Sequence, residues 1–193
     1  KYYKPGHPET EIAYMGCRTR VMGNVYDPDR QISYSRGNLS FTSINLPRLA
    51  ILAGHDEAAF YKKLDSMLEL VAQQLLDRYE IQAAKRVYNY PFLMGQGVWL
   101  DSDNLGPADE VREVLKHGTL SIGFIGLAET LTALYGHHHG ESEEMQKKGL
   151  EIVKHMRDFC DKKSQEMKMN FTLLATPAEG LSGRFTRMDK KRF

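Results

Sequence analysis

The sequence predicts an α/β fold with parallel strand pairing, and three observations predict it. Residues 39–46, "LSFTSINL", alternate apolar and polar side chains as a half-buried strand does. Two long stretches, 57–86 and 141 to about 167, repeat their apolar residues at helical spacing. The resulting order of strand, helix, strand, helix, strand is that of parallel βαβ units.

Taken in order, residues 1–31 hold Pro5-Gly6, Gly16, Gly23-Asn24 and Asp27-Pro28-Asp29. Such turn signals predict mostly loop with short strands. Pro47 closes the strand at 39–46 and opens a new segment. In the first long helix Phe60, Leu64, Met67, Leu68, Val71, Leu75 and Tyr79 share one face, with a break expected near Tyr79-Glu80. The glycines and Trp99 of "PFLMGQGVWL" suggest strand or irregular structure. A short helix is expected at 108–116, stopped at His117-Gly118, where Gly118 suits a left-handed cap. The stretch "TLSIGFIGLAETLTALYG" reads as strand, glycine turn and helix, with Gly123 and Gly126 suited to close backbone approach. Met145, Ile152, Val153, Met156, Phe159 and Cys160 line the next helix, which places Cys160 in the core. "NFTLLAT" (170–176) follows as a buried strand. No internal repeat is present, and no domain boundary stands out.

Composition excludes several classes of function. The chain has 193 residues, 41% of them hydrophobic, enough to bury a core. A net charge of +1 gives no field for nucleic acid or an anionic membrane. The apolar runs are too short to span a bilayer, and no signal peptide is visible. Two cysteines make no disulfide framework, which fits a cytoplasmic setting. The chain begins without methionine and ends shortly after a turn-like stretch, so a piece of a longer protein is expected.

Three stretches can carry chemistry. Thr176-Pro177-Ala178-Glu179 reads as an N-cap, a first-turn proline and a capping box, so a helix is expected to start directly after a buried strand. Such a start presents backbone N–H groups to a phosphate, although a Glu179 carboxylate would already occupy the dipole. Cys17 sits between Gly16 and Arg18, with Arg20 nearby, and these arginines favour thiolate. A hydrolase would need a histidine base; His7, His55 and His117 are available, but no spacing brings them close. A loop cysteine can instead act through a thiyl radical. Gly136-His137-His138-His139-Gly140 is read as a solvated loop rather than a zinc site.

Five stretches, in order, resemble the anaerobic (class III) ribonucleoside-triphosphate reductases, which are glycyl radical enzymes. They are "MGCRTRV" (15–21), "RGNLSFTSINLPRLAI" (36–51), "YPFLMGQGVWLDSDNL" (90–105), "LKHGTLSIGFIGLAE" (115–129) and "NFTLLATPAEGLSGRF" (170–185). The resemblance implies part of a ten-stranded α/β barrel with a central finger loop at about 12–24 and a phosphate-facing strand–helix turn at 170–185. It makes Cys17 the fingertip residue that becomes a thiyl radical and abstracts the 3′ hydrogen of a ribonucleotide. Asn38 matches an asparagine beside the ribose, and Thr176, Pro177, Ala178, Glu179 and Gly180 match the segment at the substrate phosphates. The implied reaction reduces ribonucleoside triphosphates to deoxyribonucleoside triphosphates, with formate or a thiol protein as reductant.

The resemblance also implies parts outside the chain: the glycyl radical loop, a four-cysteine zinc site, the region for dNTP and ATP effectors, and a separate activase using an iron–sulfur cluster and S-adenosylmethionine. A homodimer is implied, and the fragment alone is expected to be inactive. Two other readings stay open: a nucleotide-binding or regulatory module without chemistry, and a cysteine-dependent hydrolase or transferase with a histidine beside Cys17.

Overall fold

A computed structural model describes residues 3–7, 10–14, 20–21 and 23–193. Its elements run β1 (Ala13–Tyr14), β2 (Arg20–Val21), β3 (Asn38–Asn45), α1 (Leu46–Ala53), α2 (Glu57–Ala83), α3 (Arg112–Leu115), β4 (Thr119–Ile125), α4 (Leu127–Tyr135), α5 (Glu143–Met167), β5 (Asn170–Ala175) and α6 (Glu179–Arg192). One sheet has the order β3-β4-β5, and β1 pairs with β2 in another. Pairing numbers in the larger sheet rise together: Asn38 lies at Thr119 and Ser121 and Ser43 at Gly123, while Thr172 meets Ser121 and Thr176 meets Phe124. The strands are therefore parallel, as expected of strands joined by helical crossovers.

β4 is the central strand, and its sequence "TLSIGFI" splits into two faces. Leu120, Ile122 and Phe124 are buried and apolar. Thr119, Ser121 and Gly123, on the other face, are small or polar and equally buried. The helical stripes fall where their periodicity places them. Phe60, Leu64, Leu68, Val71, Leu75 and Tyr79 are buried on α2, which runs unbroken through the expected break. Met145, Ile152, Met156 and Cys160 are buried on α5.

The chain forms two compact units: Lys1–Phe41 with Gln73–Ser121 and Asp161–Thr172, and Thr42–Ala72 with Ile122–Cys160 and Leu173–Phe193. In the second, α1 packs on α4. In the first, side chains of α2 reach the open edge of β3. Arg78 donates to the Phe41 carbonyl at 3.0 Å and Gln82 to the Leu39 carbonyl at 3.2 Å. These bonds satisfy backbone groups that an unpaired edge would leave open.

The first unit also contains a buried polar network. His117 is 1% exposed. Its Nε2 lies 2.9 Å from Asp101 Oδ2, and its Nδ1 lies 3.0 Å from the Asn24 amide nitrogen. An amide N–H can only donate, so Nδ1 accepts and Nε2–H donates to Asp101: the ring is neutral. Arg30 grips the same carboxylate with two nitrogens at 2.7 and 2.6 Å. Asn170 donates to the Asn24 carbonyl at 3.2 Å and accepts from the Val25 N–H at 2.8 Å.

Three sequence expectations need correction here. Gly118 is not a left-handed cap; a Cβ there would lie 2.6 Å from Leu39 Cγ, so the glycine serves close packing. The short helix covers only Arg112–Leu115. β5 is buried only at Asn170 and Phe171 and half-buried or exposed beyond them.

The network predicts acid sensitivity. Bonds from Arg30, and then from His117, hold the Asp101 carboxyl down to about 2. Burial lowers the His117 pKa despite the opposing pull of Asp101. Both folded-state values are depressed, so the unfolded chain binds more protons and stability falls with pH, first below about 6.5 through His117 and then below about 4 through Asp101. Chemical denaturation at pH 7, 6, 5 and 4 is expected to show a falling midpoint. His117→Gln should flatten the profile between pH 7 and 5; an unchanged slope would show that His117 titration contributes nothing.

Candidate functional site

Each expected site residue has a definite place in the chain. Cys17 lies outside the described residues, in the segment joining β1 to β2. Antiparallel pairing of Ala13 with Val21 and Tyr14 with Arg20 brings the two ends of that segment together. Of the three histidines considered as a base, His117 is committed to Asp101 and Asn24, and His55 Nδ1 meets the Leu134 carbonyl at 3.1 Å.

Asn38 opens β3 in the first unit. One end of its amide lies 2.8 Å from the Thr119 carbonyl, 3.0 Å from the Ser40 carbonyl, 3.0 Å from Ser121 Oγ and 3.2 Å from Thr119 Oγ1. Two carbonyls can only accept, so the –NH₂ group occupies that end. The amide oxygen then occupies the other end, where it can only accept. Ser121 Oγ bonds onward to Thr172 Oγ1 at 3.0 Å. Three strands thus contribute amide and hydroxyl groups to one polar cluster.

Two residues before Asn38, Arg36 is 2% exposed. It donates to the His117 carbonyl at 2.8 Å and to the Ile32 carbonyl at 2.6 Å. Burial lowers its pKa to about 10, which leaves it protonated at neutral pH. Its Nη2 has no partner among the described residues.

Residues 176–180 belong to the second unit, and here the expected capping box is wrong. α6 begins at Glu179 with Ala178 at the N-cap, and no side chain caps it. Thr176 turns elsewhere: its N–H donates to the Phe124 carbonyl at 3.0 Å, and its hydroxyl lies 2.7 Å from Ser43 Oγ. A long-range hydroxyl wins Thr176 from the local cap. No side-chain hydrogen bond therefore caps the first turn of α6, although Glu179 stands in it. A Cβ placed at Gly180 meets nothing within 4 Å, so the turn is open there. Pro177 and Ala178 are half-buried, and Glu179 and Gly180 are exposed.

Farther along α6, Asp189 accepts from Asn45 at 2.7 Å and from Arg48 Nε at 2.6 Å, tying the helix to the start of α1. A cavity of about 490 Å³ beside this contact is lined by Pro47, Ile51, Ile125, Phe185 and Phe193 among others; none of the expected site residues lines it.

Sequence reasoning missed Ser43, Thr119, Ser121 and Thr172. The available signal was the alternation within "TLSIGFI", where every second residue is small or polar although the strand is buried. The family's zinc site does not fit this chain, which has two cysteines. Among the described residues no three His, Cys, Asp or Glu side chains are grouped to hold a metal. Among the described residues no helix is long and apolar enough to cross a membrane.

Comparison with known proteins bears on the family and the fold. Residues 1–193 match the family model described as anaerobic ribonucleoside-triphosphate reductase. Curated proteins of that name from Escherichia coli (strain K12) and Salmonella typhimurium are 37% and 38% identical over 185 residues, 93% of this chain in each case. The chain spans about a quarter of the length of these relatives: 25% of each. The crystal structure of the anaerobic ribonucleotide reductase from Thermotoga maritima with MES in the active site superposes with a TM-score of 0.63 at 16% identity, over 98% of this chain and 28% of that one. At that identity the likeness shows the α/β fold alone. With its whole length matched, the chain belongs to the anaerobic ribonucleoside-triphosphate reductase family.

Proposed function

We propose that the chain is part of the catalytic barrel of an enzyme that reduces ribonucleoside triphosphates to deoxyribonucleoside triphosphates without oxygen. The family match over residues 1–193 carries this reading. The three parallel strands are a sector of the ten-stranded barrel, and the β1–β2 pairing supports a finger loop over about 12–24 with Cys17 at its tip. The glycyl radical, zinc, effector region and iron–sulfur, S-adenosylmethionine-dependent activase belong to the rest of a homodimeric protein and its partner, acting in the cytoplasm. The glycyl radical supplies the one-electron oxidation of a cysteine thiol.

Within this chain each group has a limited task. As a thiyl, Cys17 takes the 3′ hydrogen of the ribose; the 2′ hydroxyl then takes up a proton and leaves as water, formate or a thiol protein supplies two electrons and a proton, and Cys17 returns the hydrogen. The amide oxygen of Asn38 accepts from a ribose hydroxyl, and the –NH₂ end bonded to two carbonyls fixes its direction. The N–H groups at the start of α6, with Thr176, Pro177, Ala178, Glu179 and Gly180 shaping the turn, receive the phosphates. Buried hydroxyls around Asn38 hold the amide without a charge that would compete with substrate.

The test uses the full-length protein, activated anaerobically. Cys17→Ala is expected to form the glycyl radical, seen by electron paramagnetic resonance, and to yield no deoxyribonucleotide. Product at the unsubstituted rate would remove Cys17 from the chemistry. Asn38→Ala is expected to lower kcat/KM by about 10- to 100-fold, the worth of one buried hydrogen bond to substrate. If nucleotide binds normally and no variant affects turnover, the chain is a binding module.

A further inference from the structure

We propose that Ser43 is the positioning residue of the phosphate subsite: it holds the Thr176 hydroxyl away from the helix cap and toward substrate, and Gly123 is the gap through which the two side chains meet. The inference rests on reading residues 176–180 as the phosphate-facing turn.

Ser43 lies on β3 and Thr176 follows β5, so β4 runs between them. Adjacent strands are about 4.8 Å apart, so the two flanking strands are separated by roughly twice that. Short side chains can bridge that gap only if the central strand puts nothing in the way. Gly123 is the residue that meets this condition. A Cβ there would lie 2.2 Å from Thr176 Oγ1 and 2.7 Å from Ser43 Oγ. Thus alanine at 123 cannot coexist with the Ser43–Thr176 bond of 2.7 Å.

The bond has two consequences. Two hydroxyls that share one hydrogen keep one proton unspent, and among the described residues neither has another side-chain partner. That proton is a donor for a phosphate oxygen. The bond also competes with the cap. Thr176 begins a local Thr-Pro-Ala-Glu pattern, which favours a threonine oxygen accepting from the first turn. The Ser43 hydroxyl diverts it, and α6 is left uncapped. Released, Thr176 would fill the donors that an anion would otherwise use.

The experiment compares ribonucleoside triphosphate with the matching nucleoside as ligands of the full-length protein, by equilibrium binding and by KM against kcat. Ser43→Ala is expected to weaken triphosphate binding about tenfold, raise KM more than it lowers kcat, and leave nucleoside binding unchanged. Gly123→Ala should do the same, while Ser43→Thr, which keeps the hydroxyl, should restore binding at least in part. Equal weakening for triphosphate and nucleoside would mean that Ser43 only packs, and would overturn the proposal. Unchanged binding in Ser43→Ala beside weakened binding in Thr176→Val would also overturn it, while leaving the phosphate turn standing. If Thr176→Val is silent as well, the phosphate turn itself fails.

Discussion

The structure depends on a conflict within β4. A central parallel strand has no free edge, and its neighbours bury both faces, so such strands usually read as continuous apolar runs. Leu120, Ile122 and Phe124 obey that rule on one face. Thr119, Ser121 and Gly123 break it on the other while staying buried. Burying hydroxyls costs free energy unless each finds a partner. In the first unit Asn38 and Thr172 supply those partners. In the second, the central strand gives up its side chain, so that hydroxyls from both sides bond over it. A strand that only needed stability would carry valine and isoleucine; a polar face kept at this cost is consistent with the polar substrate proposed for it.

The helix starts that follow the strands are not equivalent, although all lie where α/β sheets place ligands. α1 follows β3 directly and is closed by the Asn45 side chain, which accepts from the Arg48 N–H at 3.3 Å. α4 starts at Gly126, in the left-handed region at φ 82°, with Glu129 in its first turn. α6 starts without a side-chain cap. An anion would compete with an amide at α1, with the Glu129 carboxylate at α4 and with the Glu179 carboxylate at α6. Local electrostatics therefore set α1, closed by an amide, apart from α4 and α6, which are alike in having no side-chain cap and one glutamate in the first turn.

Much of the fold was legible because periodicity records burial. The stripe from Phe60 to Tyr79 and the one through Met156 and Cys160 were readable without any partner, since a helix must put one face inward. The strands at 39–46, 119–125 and 170–176 were legible for the same reason, to within a residue or two. What failed was local chemistry settled by distant residues. The capping box at Thr176 is a sound local pattern, overridden by a serine 133 positions away. Gly118 looked like a cap because it follows a helix, yet the contact that requires it is with Leu39. His117 looked like a free base because nothing nearby in sequence binds it; its partners are Asn24 and Asp101. No single-sequence pattern encodes pairings of that range. Cys17, the residue with most at stake, was legible only through family resemblance, since a lone loop cysteine carries no chemistry of its own.

The orientation of Asn38 narrows what a residue in that place can do. An amide in free solution both donates and accepts, so an asparagine beside a sugar leaves the direction of hydrogen bonding open. Here the Ser40 and Thr119 carbonyls require donors and take the –NH₂ group. The other end is the oxygen, so in the role proposed for it Asn38 accepts from a ribose hydroxyl and does not donate to it. Aspartate would imitate the oxygen but would set a second one against two carbonyls, with no proton between them unless the acid stayed protonated. Glutamine would carry the amide one methylene past carbonyls fixed by the sheet. The backbone of β3 and β4 thus selects both the residue and its direction, and the same sheet that buries the core leaves Asn38 an acceptor toward the substrate proposed for it.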